Sequence, residues 1–173
     1  MRAVSRSTVF ILGAVSLFFL IVPLTLPKPG LPVNLKADES AYYLMALSLV
    51  RDGDLRVEEE DVERVFLEFP YAPVRNLVVM SDDGWRTVYF SKPLLYPLLA
   101  APFAGLFGAN GMVFFNMALM LGMVWLGSFY LSRFNPEGLS VLFSSGFFLL
   151  SSGFAYVFWL QTEVFGMAAV TLA

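Results

Sequence analysis

Four ionisable side chains stand where an apolar chain has little need of them. Asp38 and Glu39 are adjacent at the start of a segment with helical spacing. Lys92 sits in Phe90-Ser91-Lys92-Pro93, where charged sequence gives way to a long uncharged run. Glu163 lies in Trp159-Leu160-Gln161-Thr162-Glu163, with apolar residues on both sides. A carboxylate can take the proton of a hydroxyl nucleophile, and an ammonium can balance the charge of an anionic leaving group. Each residue also has a plainer role. Adjacent acids at a helix start are ordinary caps, a boundary lysine snorkels to lipid headgroups, and an acid just outside the hydrocarbon is simply solvated. Glu163 is the hardest to dismiss in this way, since an ionisable group among apolar neighbours is costly and usually faces a cavity or a partner. The chain has no Cys and no His, which excludes disulfides, thiol chemistry, the usual zinc sites and a histidine base. No cofactor is indicated; a divalent metal is left open.

These groups must be positioned by a membrane protein. Apolar residues make up 58% of the chain and charged residues 14%, where a soluble domain carries about a quarter of its residues as charges. The charges are also segregated: none lies between Arg6 and Lys28, between Lys92 and Arg133, or between Glu137 and Glu163. Each gap holds the ~20 apolar residues that span a hydrocarbon core. The expected fold is therefore all-α, with several transmembrane helices and one extracytoplasmic loop carrying an interfacial amphipathic helix. Residues 1–26 form the N-terminus and first span, 27–92 the loop, and 93–173 an interfacial or re-entrant helix followed by further spans. The uninterrupted apolar run at 8–26 is longer than a signal-peptide core, and Arg2 and Arg6 hold the N-terminus in the cytoplasm. The chain ends in an apolar stretch too short to cross, so it reads as the N-terminal part of a longer protein at the cell membrane.

The loop carries eight basic and twelve acidic side chains, a mildly acidic balance that argues against nucleic acid as a partner. Within it, Tyr42, Met45, Ala46 and Leu49 share one helical face over 38–52. Asp38 is placed as N-cap and Gly53 as the stop, which suits a helix lying on the membrane surface. Residues 58–68 read as charged and solvated, and Asp82-Asp83-Gly84 as the turn of a small hairpin. The uncharged stretch 93–132 divides at Gly108-Ala109-Asn110-Gly111 into a short proline-containing segment kept at the outer side and a full span over 112–131. Arg133 then lies inside, 139–156 returns outward, and Glu163 faces the same side as Asp38, Glu39 and Lys92. An alternative topology puts Glu163 on the cytoplasmic side. The Ser and Gly residues at 144–146 and 151–153 permit close helix packing.

Taken together, these residues resemble the opening of the GT-C glycosyltransferases, multi-span enzymes that use polyprenyl-phosphate sugars. Ala37-Asp38-Glu39-Ser40-Ala41-Tyr42-Tyr43, with Ser48-Leu49-Val50-Arg51-Asp52-Gly53-Asp54, is similar to the first-loop motif of the branch holding the lipid A aminoarabinose transferases and relatives of the protein O-mannosyltransferases. Tyr89-Phe90-Ser91-Lys92-Pro93-Leu94, followed by Leu106-Phe107-Gly108-Ala109-Asn110, resembles that family's Lys-Pro segment and short helix. The separation of Asp38 from Lys92 is longer than in the aminoarabinose transferases, filled by the acids at 58–63, so the acceptor and subfamily stay open.

The resemblance implies transfer of a sugar from a polyprenyl-phosphate donor to an extracytoplasmic hydroxyl, with inversion if displacement is direct. Asp38 would be the general base, Lys92 would contact the donor phosphate, and Glu39 and Glu163 would orient the acceptor or Asp38. The implied partners are the lipid-linked sugar, an acceptor of unspecified class (lipid, glycan or protein) and membrane lipid. Lys92 and Glu163 are then expected within roughly 15 Å of Asp38, the reach of one ligand pocket. Two other classes are consistent with the same residues. A transporter or flippase subunit would use its acids as a substrate path, and a structural subunit would need them only for stability.

Overall fold

In the computed structural model the described residues are 5–25, 35, 38–70 and 77–173. Arg2, Lys28, Ala37 and most of the stretch leading to Asp38 lie outside them. The described chain is mostly helical, and two of its helices are long and apolar enough to cross a membrane. It divides into two compact units, one made of residues 1–25 and 113–173 and the other of residues 26–112.

The first unit is built from the uncharged runs. Helix α1 (Arg6–Thr25) has 20 residues, about 30 Å at 1.5 Å per residue, the thickness of a hydrocarbon core. Most of its large side chains point outward, among them Phe10, Leu17 and Phe18. Helix α5 (Ala109–Leu131) is the second long helix. Midway along, the Trp125 indole N–H donates to the Ser16 hydroxyl of α1 at 2.8 Å. Helix α6 (Glu137–Leu149) begins beside the start of α1, where the Ser5 amide and the Thr8 hydroxyl donate to the Glu137 carboxylate at 3.0 and 2.7 Å. The residue-5 end of α1 and the turn carrying Arg133 are therefore at one end of this unit.

The return segment is not the single straight helix expected over 139–156. Helix α6 stops at Leu149, and the chain bends by 61° into a 3-10 helix, Ser152–Phe158. The break falls at Leu150-Ser151, directly before Ser152-Gly153, and the serines and glycine there are of poor helix propensity. The Ser151 hydroxyl donates to the Phe148 carbonyl, the kind of local bond that competes with helix continuation. A bend leaves carbonyls open, and Asn116 of α5, fully buried, donates its amide to two of them, Val157 at 3.3 Å and Trp159 at 2.8 Å. Small residues do pack closely where α5 meets α6. The Ser144 hydroxyl donates to the Val124 carbonyl at 2.8 Å, and a Cβ on Gly127 would lie 2.5 Å from that hydroxyl. Gly146, by contrast, has open space around it. Helix α7 (Glu163–Leu172) follows.

The second unit is centred on helix α2 (Glu39–Arg51). Its stop is as expected: Gly53 has φ +76°, and the amides of Asp52 and Gly53 both donate to the Ser48 carbonyl, a glycine-terminated helix end. Its burial differs from the one-sided stripe. Every residue from Glu39 to Ser48 is buried, Leu44, Met45 and Ala46 completely. Helices α3 (Glu59–Glu68) and α4 (Leu95–Phe107) pack on it. Ala100, Ala101 and Ala104 of α4 are buried, and a Cβ on Gly105 would come within 2.8 Å of Val50, so small residues let α4 approach closely. The rings of Tyr42 and Tyr96 meet edge to face, 5.6 Å between centroids.

Residues 58–68, expected to be solvated, instead form α3 with two of their acids used internally. Asp61 is 2% exposed and accepts the Glu58 amide at 3.1 Å, closing the start of the helix. Arg64 pairs with Asp61 and, through a second nitrogen at 2.9 Å, with Asp52 beyond the end of α2. Glu68 accepts the Ala109 amide at 3.1 Å and the Tyr43 hydroxyl. That carboxylate supplies the missing cap of α5, so α5 starts at Ala109 and the expected four-residue turn shrinks to Gly108, at φ +63°. The hairpin forms as expected. Strands β1 (Val79–Met80) and β2 (Tyr89–Phe90) pair antiparallel, and the Asp83 carboxylate gathers the amides of Arg86 and Thr87 and the Ser81 hydroxyl.

Candidate functional site

Helix α2 begins one residue after Asp38, and α4 begins three residues after Lys92. The packing of these two helices brings together residues from opposite ends of the intervening segment. Lys92 Nζ lies 2.7 Å from Asp38 Oδ2, an ion pair in which the lysine side chain is 18% exposed and the aspartate side chain 45%. The plain reading of Asp38 as a helix cap is set aside by its geometry. The residue has helical backbone angles (φ −82°, ψ −6°) and makes no side-chain cap bond. Its carboxylate is committed to the lysine.

Glu39 is buried, 7% exposed, in the first turn of α2, where the helix dipole favours an acid. The Ser91 hydroxyl, next to Lys92 in sequence, is buried and has no hydrogen-bond partner among the described residues. A buried hydroxyl without a partner is uncommon and costs free energy. The first turn of α4 follows directly, with no side-chain cap at Leu94. Ser91 and Lys92 thus lead into that helix start as a donor-rich stretch of chain, and Lys92 is paired with a carboxylate that water can reach.

Glu163 is the first residue of α7, exposed, and belongs to the other unit. Its place within that unit is well defined. The rings of Phe154 and Phe19 meet at 6.1 Å in the second half of α1, and the Trp159 carbonyl is held by Asn116, near the start of α5. Glu163, four residues after Trp159, therefore sits at the end of its unit opposite Ser5 and Glu137. That end is also where α1 finishes and where the chain re-enters the unit at Val113.

The electrostatics of the loop unit are local. Pairing with Arg64 holds the Asp52 carboxyl below the usual range, burial raises that of Asp61, and the Thr87 amide with its neighbours lowers Asp83 to about 2. Burial pushes the Tyr43 hydroxyl well above the ordinary tyrosine range, so it stays protonated and donates to Glu68. Among the described residues no group of three acids could hold a metal ion.

Sequence reasoning singled out Asp38 and Lys92, which the structure brings together, but not what surrounds them. Ser91 carried a signal, being a hydroxyl beside the chosen lysine. Asn116 carried one too, as a lone amide in an uncharged helix-length run. Glu68 and Asp61 carried none, because nothing local separates a capping acid from the solvated acids beside it. Neither a family model, nor a curated protein, nor a solved structure matches this chain.

Proposed function

We propose that the chain is the catalytic opening of a membrane glycosyltransferase that takes a sugar from a polyprenyl-phosphate donor at the extracytoplasmic face. The observation that carries the reading is the Asp38–Lys92 ion pair. It puts a water-accessible carboxylate beside a mostly buried ammonium, the two charges that displacement of a sugar from a phosphate requires. Asp38 accepts the proton of the acceptor hydroxyl while that oxygen forms a bond to the anomeric carbon. The bond from the anomeric carbon to the phosphate oxygen breaks, and the lipid phosphate leaves with the electron pair. Lys92 balances the charge gathering on that oxygen. Direct displacement inverts the anomeric carbon. Glu39 and Glu163 orient the acceptor or the base. Glu163 is assigned by the resemblance; within its own unit it lies at the end where α1 finishes. In this reading the unit of residues 26–112 faces the outer side of the cell membrane, with α2 and α4 at the interface.

Positioned acid–base groups contribute roughly 10²–10⁴-fold in rate. Asp38→Asn in the full-length protein should therefore lower sugar transfer from a radiolabelled polyprenyl-phosphate donor by about that factor, with expression and thermal stability retained. Near-normal turnover by this variant would sink the mechanism. One observation favours the transporter reading: the helix broken between α6 and the 3-10 segment, a device transporters use at substrate sites. Substrate accumulation in proteoliposomes, untouched by Asp38→Asn, would select that alternative.

A further inference from the structure

We infer that the Asp38–Lys92 ion pair is a latch that holds the base out of use until a phosphate-bearing ligand takes Lys92, so that the donor binds before the acceptor is activated. The inference rests on the functional reading above and adds to it an order of binding.

Asp38 Oδ2 lies 2.7 Å from Lys92 Nζ, and α2 has no side-chain cap bond from the aspartate. A carboxylate held this closely by an ammonium has one oxygen spent. The two partners are unequally buried. The lysine side chain is 18% exposed and the aspartate side chain 45%. An unpaired charge costs more the less water reaches it, so Lys92 loses more by standing unpaired than Asp38 does on release into water. The two states therefore exclude each other at one ammonium: either the carboxylate is there or an incoming anion is. The phosphodiester of a lipid-linked sugar carries one negative charge and two free acceptor oxygens, as a carboxylate does, so it can take the carboxylate's place at the ammonium charge for charge. One residue before Lys92 in sequence, the Ser91 hydroxyl is buried and, among the described residues, without a hydrogen-bond partner in the latched state, which leaves it open to an incoming oxygen. Once released, Asp38 remains beside the uncapped first turn of α2, whose dipole favours an anion, and both of its oxygens are open to an acceptor hydroxyl. The same event thus fills the phosphate site and frees the base. A free acceptor meeting the latched protein finds the base occupied.

The test is binding of farnesyl phosphate to the full-length protein in nanodiscs, followed by calorimetry. Asp38→Asn removes the competitor and should tighten binding two- to fivefold, the range that corresponds to an exposed-to-half-buried ion pair of up to ~1 kcal/mol. The gain should vanish in the Asp38→Asn/Lys92→Met double variant, as a coupled pair requires. Asp38→Ser serves as a second variant should the asparagine be poorly folded. Unchanged or weaker binding in both Asp38 variants, with Lys92→Met alone still weakening binding, would overturn the latch and leave the glycosyltransferase reading standing. Binding unaffected by Lys92→Met would overturn both.

Discussion

At the scale of single residues, three of the loop's carboxylates are used in three different ways, and local sequence alone does not separate them. Asp38 is paired to a distant lysine, Asp61 closes its own helix, and Glu68 caps a helix that begins forty-one residues later. The Glu68 arrangement is the most consequential for folding. It accepts a neutral, buried Tyr43 hydroxyl and a backbone amide together. Tyr43→Phe leaves a partly buried carboxylate short of a donor, and such a deletion costs about 1–3 kcal/mol. The expected outcome is a lower unfolding temperature with farnesyl phosphate affinity unchanged, since Lys92 is untouched. A loss of affinity without a loss of stability would place Tyr43 in the ligand site instead. Ser91→Ala tests the opposite balance. Removing an unpartnered buried hydroxyl should be neutral or slightly stabilising by thermal melt, yet weaken phosphate binding. Equal affinity in this variant would leave the orphan hydroxyl without a ligand role.

At the scale of elements, close approach decides where helices begin and end. A Cβ on Gly111 would lie 1.9 Å from the Phe103 carbonyl oxygen, and backbone cannot yield that much. Gly111→Ala should therefore disrupt the α4–α5 turn and with it the placement of Lys92, by 1–3 kcal/mol or more on the scale of overpacking effects. Loss of folded yield in mild detergent, beside normal yield for Gly122→Ala, which meets nothing within 4 Å, is the expected contrast. The hairpin gives a pH prediction. Asp83 is lowered to about 2 by the amides it collects. Its contribution to the turn is full above the ordinary aspartate range and is lost as pH falls through about 2. The Thr87 amide resonance should therefore hold its folded position down to about pH 3 and move below it. Movement near pH 4 would mean the carboxylate is not holding the turn. Such elements were legible because each rests on local chemistry: Gly53 ends α2, Asp-Gly turns the hairpin, and unbroken apolar runs give α1 and α5. What was not legible depended on partners far along the chain. The all-round burial of α2 needs the alanines of α4, and α3 looks solvated until Val65, fully buried, is seen against the core. The α6 break was written in Ser151-Ser152-Gly153, but helix-packing glycines and serines have the same composition as helix-breaking ones.

At the scale of the whole molecule, the remaining question is sidedness. The first unit places Ser5, Thr8 and the Glu137 end of α6 together, and the Glu163 end opposite. Arg6 and Arg133 belong to the first of these ends, and an excess of arginine and lysine marks the cytoplasmic side. On the proposed topology α1 carries the chain across, the unit of residues 26–112 lies outside, α5 returns inside, and Glu163 is again outside. The protein contains no cysteine, so a single introduced thiol reports only on its own position. Glu60→Cys, on the exposed face of α3, should react with a membrane-impermeant maleimide in intact cells. Asn135→Cys, in the exposed turn between α5 and α6, should react only after lysis. The reverse pattern would put Asp38 and Lys92 in the cytoplasm, where a sugar flipped outward on its lipid cannot reach them. Labelling of both sites in intact cells would mean that α5 does not cross, leaving α1 as the single anchor and the broken helix as a re-entrant element. The expected pattern alone, one site outside and one inside, gives an extracytoplasmic lipid-linked donor access to the ion pair.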